Sequence, residues 1–225
     1  MEHPYLFLSD LLHWEFAHEH PHVAYSWVVM AMLVILGWLS SKSLKLIPSG
    51  AQNFFEFVVD SLETFMVGIT GPEGRAFFPL IATMFLYIFT CNLVGLIPGF
   101  FSPTASVNTT LACALVVVIY THIIGIKYHG VKYIKHFLGP VWWMSPLILP
   151  IELIGHLARA LSLTIRLFGN MSGHELVLAI LFLLAGAYLA PLPIMAMGIF
   201  TCFVQAFVFM LLSTMYFAGA MEHAH

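Results

Sequence analysis

Charged residues are scarce in this sequence. Asp, Glu, Lys and Arg make up 8% of its 225 residues, whereas about 25% is usual in a soluble domain. Hydrophobic residues account for 60%, which excludes an ordinary soluble domain and indicates several membrane-spanning segments. The net charge of -3 gives no electrostatic support for a nucleic-acid partner. We therefore expect an all-α integral membrane protein that lies in a lipid bilayer and binds no nucleic acid.

Paired cysteines and a signal peptide are also lacking. Cys91, Cys113 and Cys202 lie in three different apolar runs, without a CxxC motif or His/Cys ligand spacing, and are predicted to be small core residues. The N-terminal stretch "MEHPYLFLSDLLHWEFAHEHPH" has no basic start, apolar middle and small-residue cleavage site. We expect the mature chain to keep Met1.

Apolar runs divide the chain into about five crossings within a single membrane domain. In residues 49–70, Glu56, Asp60 and Glu63 recur at spacings of four and three among aromatic and aliphatic residues, which predicts an amphipathic helix on the membrane surface. The other predicted segments are an outside N-terminal segment 1–22, spans 23–41, 76–97 and 107–126, a long tilted region 141–186, and a long final helix 194–219.

Basic residues indicate the orientation of the chain. If the first three spans cross the membrane in turn, six basic residues fall on one face, which the positive-inside rule assigns to the cytoplasm. The N-terminus is then outside and the C-terminus inside. These residues are Lys42, Lys45, Arg75, Lys127, Lys132 and Lys135.

The region 141–186 is too long for an upright span. Pro146 and Pro150 interrupt its beginning, and the proline-free remainder corresponds to about 54 Å of helix against a hydrocarbon core of about 30 Å. Such a helix must tilt steeply, kink or run partly along the membrane. With the final helix it is predicted to form a steeply tilted hairpin.

Polar residues of this long helix share one narrow stripe. At about 100° per residue, the stripe comprises Glu152, His156, Arg159, Arg166, Asn170 and His174. A neighbouring stripe of small residues, which permits close approach of another helix, comprises Gly155, Ser162, Gly169 and Gly173. Glu175 points to a different face.

Arg166 is the costliest residue of the stripe. A charged residue at the centre of a membrane helix costs about 2.5 to 3.5 kcal/mol on insertion scales, and a guanidinium stays protonated at any ordinary pH. Glu152 and Glu175 are poorly placed to pair with it on the same helix, so we expect an acidic partner on another polypeptide. The alternative is an ion pair with one of these acids that only locks helices together. Gln205 in the final helix either packs helices or lines a polar path.

Four segments carry a family resemblance. "RLFGNMSGHEL", "PTASVNTTLACAL", "NLVGLIPG" and "VQAFVFMLLSTMY" resemble the a subunit of the proton-translocating F-type ATP synthase, over nearly the whole chain from the first span to residue 219. The resemblance implies a stator subunit of a bacterial inner membrane that is not itself catalytic and holds no cofactor or metal. It also implies two offset proton half-channels, with a ring of c subunits and a b-type peripheral stalk as partners.

Site residues follow from the resemblance one at a time. It implies that Arg166 meets each rotor carboxylate and blocks a direct proton leak, that Glu152 belongs to the inside-facing path, and that Glu175 belongs to the outside-facing path. Asn170 and Gln205 match polar positions near the arginine.

The chain also departs from one well-known bacterial version of the family. His174 stands where that version has glycine, and Gly198 stands where it has histidine. The imidazole is therefore predicted to occupy roughly the same space from the opposite helix. Ser106 stands where that version has an aspartate, so the resemblance implies no role for the loop before the third span.

Two other function classes compete with this interpretation. Twelve histidines could indicate a haem or metal protein, but "GHEL" has Leu178 in place of the second histidine of an HExxH motif. A self-contained ion channel or transporter would be favoured by inverted repeats and a pair of broken helices, which we do not find in the sequence.

Overall fold

Six α-helices make up most of the described chain. The computed structural model describes residues 20–41, 50–97, 100–130, 133, 145–185 and 191–221, and this part contains no strand. The helices are α1 (Pro21–Ser41), α2 (Ala51–Thr70), α3 (Phe78–Gly95), α4 (Val107–His129), α5 (Ser145–Ala185) and α6 (Pro191–Met221), with short 3₁₀ helices at Pro72–Phe77 and Pro103–Ala105.

All of these helices except α2 are long and apolar enough to cross a membrane. The predicted fold class, all-α with about five crossings and an amphipathic helix, is thereby confirmed. The segment 1–19 and four of the six basic residues used for orientation, Lys42, Lys45, Lys132 and Lys135, lie outside the described residues.

Helix α5 begins earlier than its prolines suggested. It runs without a break through 41 residues, which is about 60 Å at the usual helical rise. Pro146 is its second residue, where a backbone N–H has no intrahelical acceptor, so its absence costs no bond. Pro150 removes only a bond near the helix start. The prolines therefore mark the beginning of α5 rather than an interruption.

Helix α6 lies at the centre of the bundle and packs against α2, α3, α4 and α5. Its buried side chains recur at helical spacing, with Ala206, Phe209, Met210 and Phe217 all inaccessible to solvent. Leu163 and Leu167 of α5 join the same apolar core. The three cysteines are buried and unpaired, which confirms their prediction as core residues.

Helix α2 combines a buried face with an exposed aromatic one. Leu62 and Met66 join the core, whereas Phe57 leaves 70% of its surface exposed. Gly71 ends the helix with φ 73°, a left-handed conformation that glycine adopts without a steric penalty. Glu63 forms an ion pair with the exposed Arg75 of the following 3₁₀ helix.

The connection between α3 and α4 folds back toward α5. Its 3₁₀ helix Pro103–Ala105 contacts α5, α1 and α3, and the Ser172 hydroxyl donates to the Ala105 carbonyl over 3.3 Å. This return brings polar residues of the connection to the second half of α5.

Candidate functional site

Arg166 lies near the middle of α5 without an acid beside it. Leu163 and Leu167, which belong to the same helical turn, are fully buried. The arginine is half-buried, at the edge of the helix face that these leucines bury. Its Nε and Nη2 atoms are buried and form no hydrogen bond with any residue that the structure describes. Within the described part of the chain, no carboxylate forms an ion pair with it. This arrangement is a fixed cation whose counterion is not supplied by the described residues.

One turn further along α5, Asn170 connects to α6. Its Nδ2 donates to Gln205 Oε1 over 2.7 Å, and the buried Gln205 Nε2 has no hydrogen-bond partner among the described residues. The glutamine, which the sequence left open as packing or path lining, is thus part of an inter-helix bond near the arginine.

His174 and Gly198 lie in direct contact across α5 and α6. A methyl group placed on Gly198 would lie 2.4 Å from His174 Nε2 and 2.5 Å from Leu96 Cδ2. The imidazole therefore packs against the bare backbone of α6, and within the described ranges its buried Nε2 has no hydrogen-bond partner. The His174 ring thus fills the space that a side chain at position 198 would need.

Glu175 faces the α3–α4 connection. Its Oε1 accepts a hydrogen bond from the Ser102 backbone N–H at 3.0 Å. The Ser102 hydroxyl lies 2.7 Å from the Thr104 hydroxyl, which in turn donates to Asn92 Oδ1 over 2.6 Å. These three partners are almost completely buried. Together the four residues form a polar cluster, which we call the Glu175 cluster.

Sequence reasoning missed most of the Glu175 cluster. Ser102 and Thr104 are separated from Glu175 by about seventy positions, and Asn92 lies in the last turn of an apolar helix. The available signals were an asparagine inside a predicted span and the family motifs "NLVGLIPG" and "PTASVNTTLACAL", which carried the resemblance without pointing to these side chains.

A second polar group lies near the start of α5. His156 Nε2 is 3.4 Å from Glu152 Oε1, and the ring centroids of His156 and His122 of α4 are 4.6 Å apart. His122 Nδ1 is 2.9 Å from the Tyr133 hydroxyl. We call Glu152, His156, His122 and Tyr133 the paired-histidine cluster. Neither His122 nor Tyr133 was among the predicted site residues.

Arg159 lies between the two groups and does not pair with Glu152. Its guanidinium carbon stands 5.4 Å from the centroid of the Tyr216 ring, a cation–π geometry. The predicted stripe is therefore divided in space, with Glu152 and His156 near the helix start and Arg166, Asn170 and His174 further along.

The small-residue stripe of α5 faces open space. Methyl groups placed on Gly155, Gly169 and Gly173 meet no atom within 4 Å, and Ser162 is exposed. No described residue therefore covers this face, which leaves room for close approach by another polypeptide.

Metal-binding geometry is not found in the ranges that the structure covers. No three His, Cys, Asp or Glu side chains there converge as metal ligands. The histidines of α4 and α5 contact each other or the backbone of α6 instead.

Comparison with known proteins agrees with these features. The family model "ATP synthase A chain" matches residues 23–218. The chain is 65% identical over 229 residues to ATP synthase subunit a of Desulfosudis oleivorans, 60% over 239 residues to that of Syntrophobacter fumaroxidans, and 55% over 232 residues to that of Trichlorobacter lovleyi. Each match covers 100% of both chains. A polar α5, a glycine face open to a neighbour and a match across almost the whole length together show that this chain belongs to the ATP synthase A chain family, the a subunits of the F-type membrane sector.

Proposed function

We propose that this chain is the stator a subunit that guides protons past a rotating ring of c subunits, with Arg166 meeting each rotor carboxylate. The observation that carries the proposal is the partly buried guanidinium of Arg166, which pairs with no described residue, beside a glycine face that no described residue covers. A permanent charge near the middle of a membrane-spanning helix is unfavourable unless an anion compensates it. A carboxylate on a neighbouring helix that packs against Gly169 and Gly173 would do so.

The electrostatics of a fixed cation suit this role. Arg166 favours the ionised form of an approaching carboxylic acid, so the acid releases its proton before it passes. The same charge repels free protons and so opposes a leak between the two sides. A proton that crosses about 100 mV releases about 2.3 kcal/mol, and a leak would dissipate this energy without turning the rotor.

Two separate polar groups support two offset half-channels. The Glu175 cluster, with His174, Asn170 and Gln205, lies on one side of Arg166 along α5, and Glu152 lies 14 residues before the arginine. We assign the first group to the outside-facing path and Glu152 to the inside-facing path. This assignment uses the orientation from the positive-inside rule, with the N-terminus outside and the C-terminus cytoplasmic. A b-type peripheral stalk would hold the subunit still against the ring.

Replacing Arg166 tests the proposal. In membrane vesicles that contain the whole synthase, Arg166→Ala should reduce proton-driven ATP synthesis to background while the complex still assembles, because the counterion of the rotor acid is lost. Arg75→Ala is the matched control, since its side chain is 75% exposed and pairs with Glu63 at the surface. Coupled synthesis at the control rate in Arg166→Ala would overturn the stator role assigned to this residue.

A further inference from the structure

The paired-histidine cluster joins α4, near its end, to α5, near its beginning. Along the chain, residues 131–144 connect these two helices. His122 lies seven residues before the end of α4, and Glu152 seven residues after the beginning of α5. The ring of Tyr133 fits there because residue 125 is glycine: a methyl group on Gly125 would lie 2.3 Å from Tyr133 Cε2. The cluster therefore lies toward the end of α4 whose last turn carries Lys127, on the side that the positive-inside rule assigns to the cytoplasm.

The contacts of the cluster are continuous. The Tyr133 hydroxyl reaches His122 Nδ1 at 2.9 Å. The His122 and His156 rings are tilted by 54° with their centroids 4.6 Å apart, and His156 Nε2 approaches Glu152 Oε1 at 3.4 Å. Every member carries an exchangeable proton or can accept one. His156 stands about 15 Å along α5 from Arg166, at ten residues' separation.

Two adjacent imidazoles with one carboxylate suit transfer of single protons. Imidazole accepts a proton at one nitrogen and can release one from the other, near neutral pH. A proton on one ring disfavours a second on its neighbour, and Arg159 adds positive charge from the same helix, so the pair holds one proton at a time. The Glu152 carboxylate favours the protonated ring nearest to it.

We propose that His122 and His156 form a proton relay of the inside-facing path, in which they connect the region of Arg166 with Glu152 and with water at the end of α4. This inference rests on the proposed function. A proton released by a c-subunit carboxylic acid protonates His156, which Glu152 stabilises in its protonated form, and transfer of a proton from His156 to His122 restores the neutral ring. His122 then releases the proton to water near Tyr133. The reverse sequence serves ATP-driven pumping.

Aromatic replacements test the relay in vesicles that contain the complete synthase. His156→Phe and His122→Phe keep an aromatic ring but remove proton transfer, so each should slow ATP synthesis and ATP-driven proton pumping about tenfold. This loss is smaller than the usual contribution of a positioned proton-transfer group, because water can substitute in part. The double variant should be no slower than the slower single variant, since the two rings act in series. His129→Phe is the control, a histidine of the same helix that contacts the Ala220 carbonyl.

Chemical rescue separates proton transfer from packing. Added imidazole should restore part of the rate of ATP synthesis in His156→Gly. Pyrazole has the same shape but takes up no proton near neutrality, so it should restore nothing. The wild-type complex, treated with each compound, serves as the reference. Additive losses in the double variant, or equal effects of the two compounds, would show that the rings only brace α4 against α5. If the phenylalanine variants do not assemble, His122→Gln and His156→Gln replace them.

The outcomes also separate this inference from the proposed function. Normal pumping in the assembled histidine variants, with Arg166→Ala inactive, would overturn the relay alone. Active Arg166→Ala would overturn the proposed function. Failure of both the phenylalanine and the glutamine variants to assemble would assign the histidines to bracing and would also overturn the relay.

Discussion

The imidazole of His174 occupies a space that exists because residue 198 has no side chain. His174 is on α5 and Gly198 on α6, and the ring atoms lie where a Cβ of residue 198 would be. A side chain on residue 198 would have to displace the far end of His174 or of Leu96. The two residues are therefore coupled sterically as well as by any role in proton transfer.

Gly198→Ala should displace the His174 ring and lower proton-driven ATP synthesis severalfold. Because both obstructing atoms are ends of side chains that can rotate, the loss of stability should stay near the lower end of the range of about 1 to 3 kcal/mol for overpacking. The measurement is the synthesis rate and thermal midpoint of the purified complex.

The control for this prediction is a double-mutant cycle. In a His174→Gly background, Gly198→Ala should cause little further change, because the ring it would strike is absent. Equal effects of Gly198→Ala with and without His174 would show that the contact is unimportant.

At the scale of helices, the end of α3 and the α3–α4 connection approach each other unusually closely. A methyl group on Gly95 would lie 2.3 Å from Ser102 Cβ and 3.2 Å from Ser102 Cα. Unlike the atoms near Gly198, these cannot move by rotation of a side chain. The backbone N–H of the same Ser102 binds Glu175, so this crossing determines where the Glu175 cluster forms.

Gly95→Ala should therefore move the connection and break the bond between Ser102 and Glu175. We expect a loss of stability of about 1 to 3 kcal/mol and a lower proton flux, measured as the thermal midpoint of the complex and as ATP-driven pumping.

Gly68→Ala is the matched control within α2, where an added methyl group meets no atom within 4 Å. Alanine is the better helix former by about 1 kcal/mol, so this variant should be neutral or slightly more stable. An unchanged midpoint in Gly95→Ala would show that the connection adapts and does not depend on the glycine.

Across the whole molecule, polar side chains and small residues of α5 lie at different kinds of surface. The Glu175 cluster lies among α3, its connection and α5, whereas a methyl group on Gly155, Gly169 or Gly173 would meet no described atom within 4 Å. An uncovered strip of glycine in a membrane protein allows helix backbones to approach closely. The proposed c ring fits this strip, with Arg166 beside it.

A cysteine at Gly169 should form a disulfide with a cysteine on the acid-bearing helix of the c subunit under mild oxidation. The three native cysteines are buried and should react slowly, so the product can be read as an a–c band on a non-reducing gel. Gly37→Cys on α1, where space is also open, should give no such band. Equal cross-linking from both positions would contradict the assignment of the ring to α5.

Composition and periodicity by themselves determined the fold class of this protein and the arrangement of polar and small residues along its long helix. The scarcity of charge and the lengths of the apolar runs predicted an all-α membrane fold with five crossings, because a lipid core admits few alternatives. Helical periodicity placed Arg166 and Asn170 on one stripe and the glycines beside it, because residues on one helix have a fixed angular relation.

Only the tertiary structure decided which distant segments meet. No periodicity relates Glu175 to Ser102, Asn170 to Gln205 or His156 to His122, since these pairs depend on how α3, α4, α5 and α6 pack and on where the α3–α4 connection turns back. The packing also gave the two ends of the single stripe different partners, and no residue in the described part of the chain pairs with Arg166 between them. Helix geometry is a local property that the sequence carries directly, whereas contacts between helices result from the packing of the whole bundle.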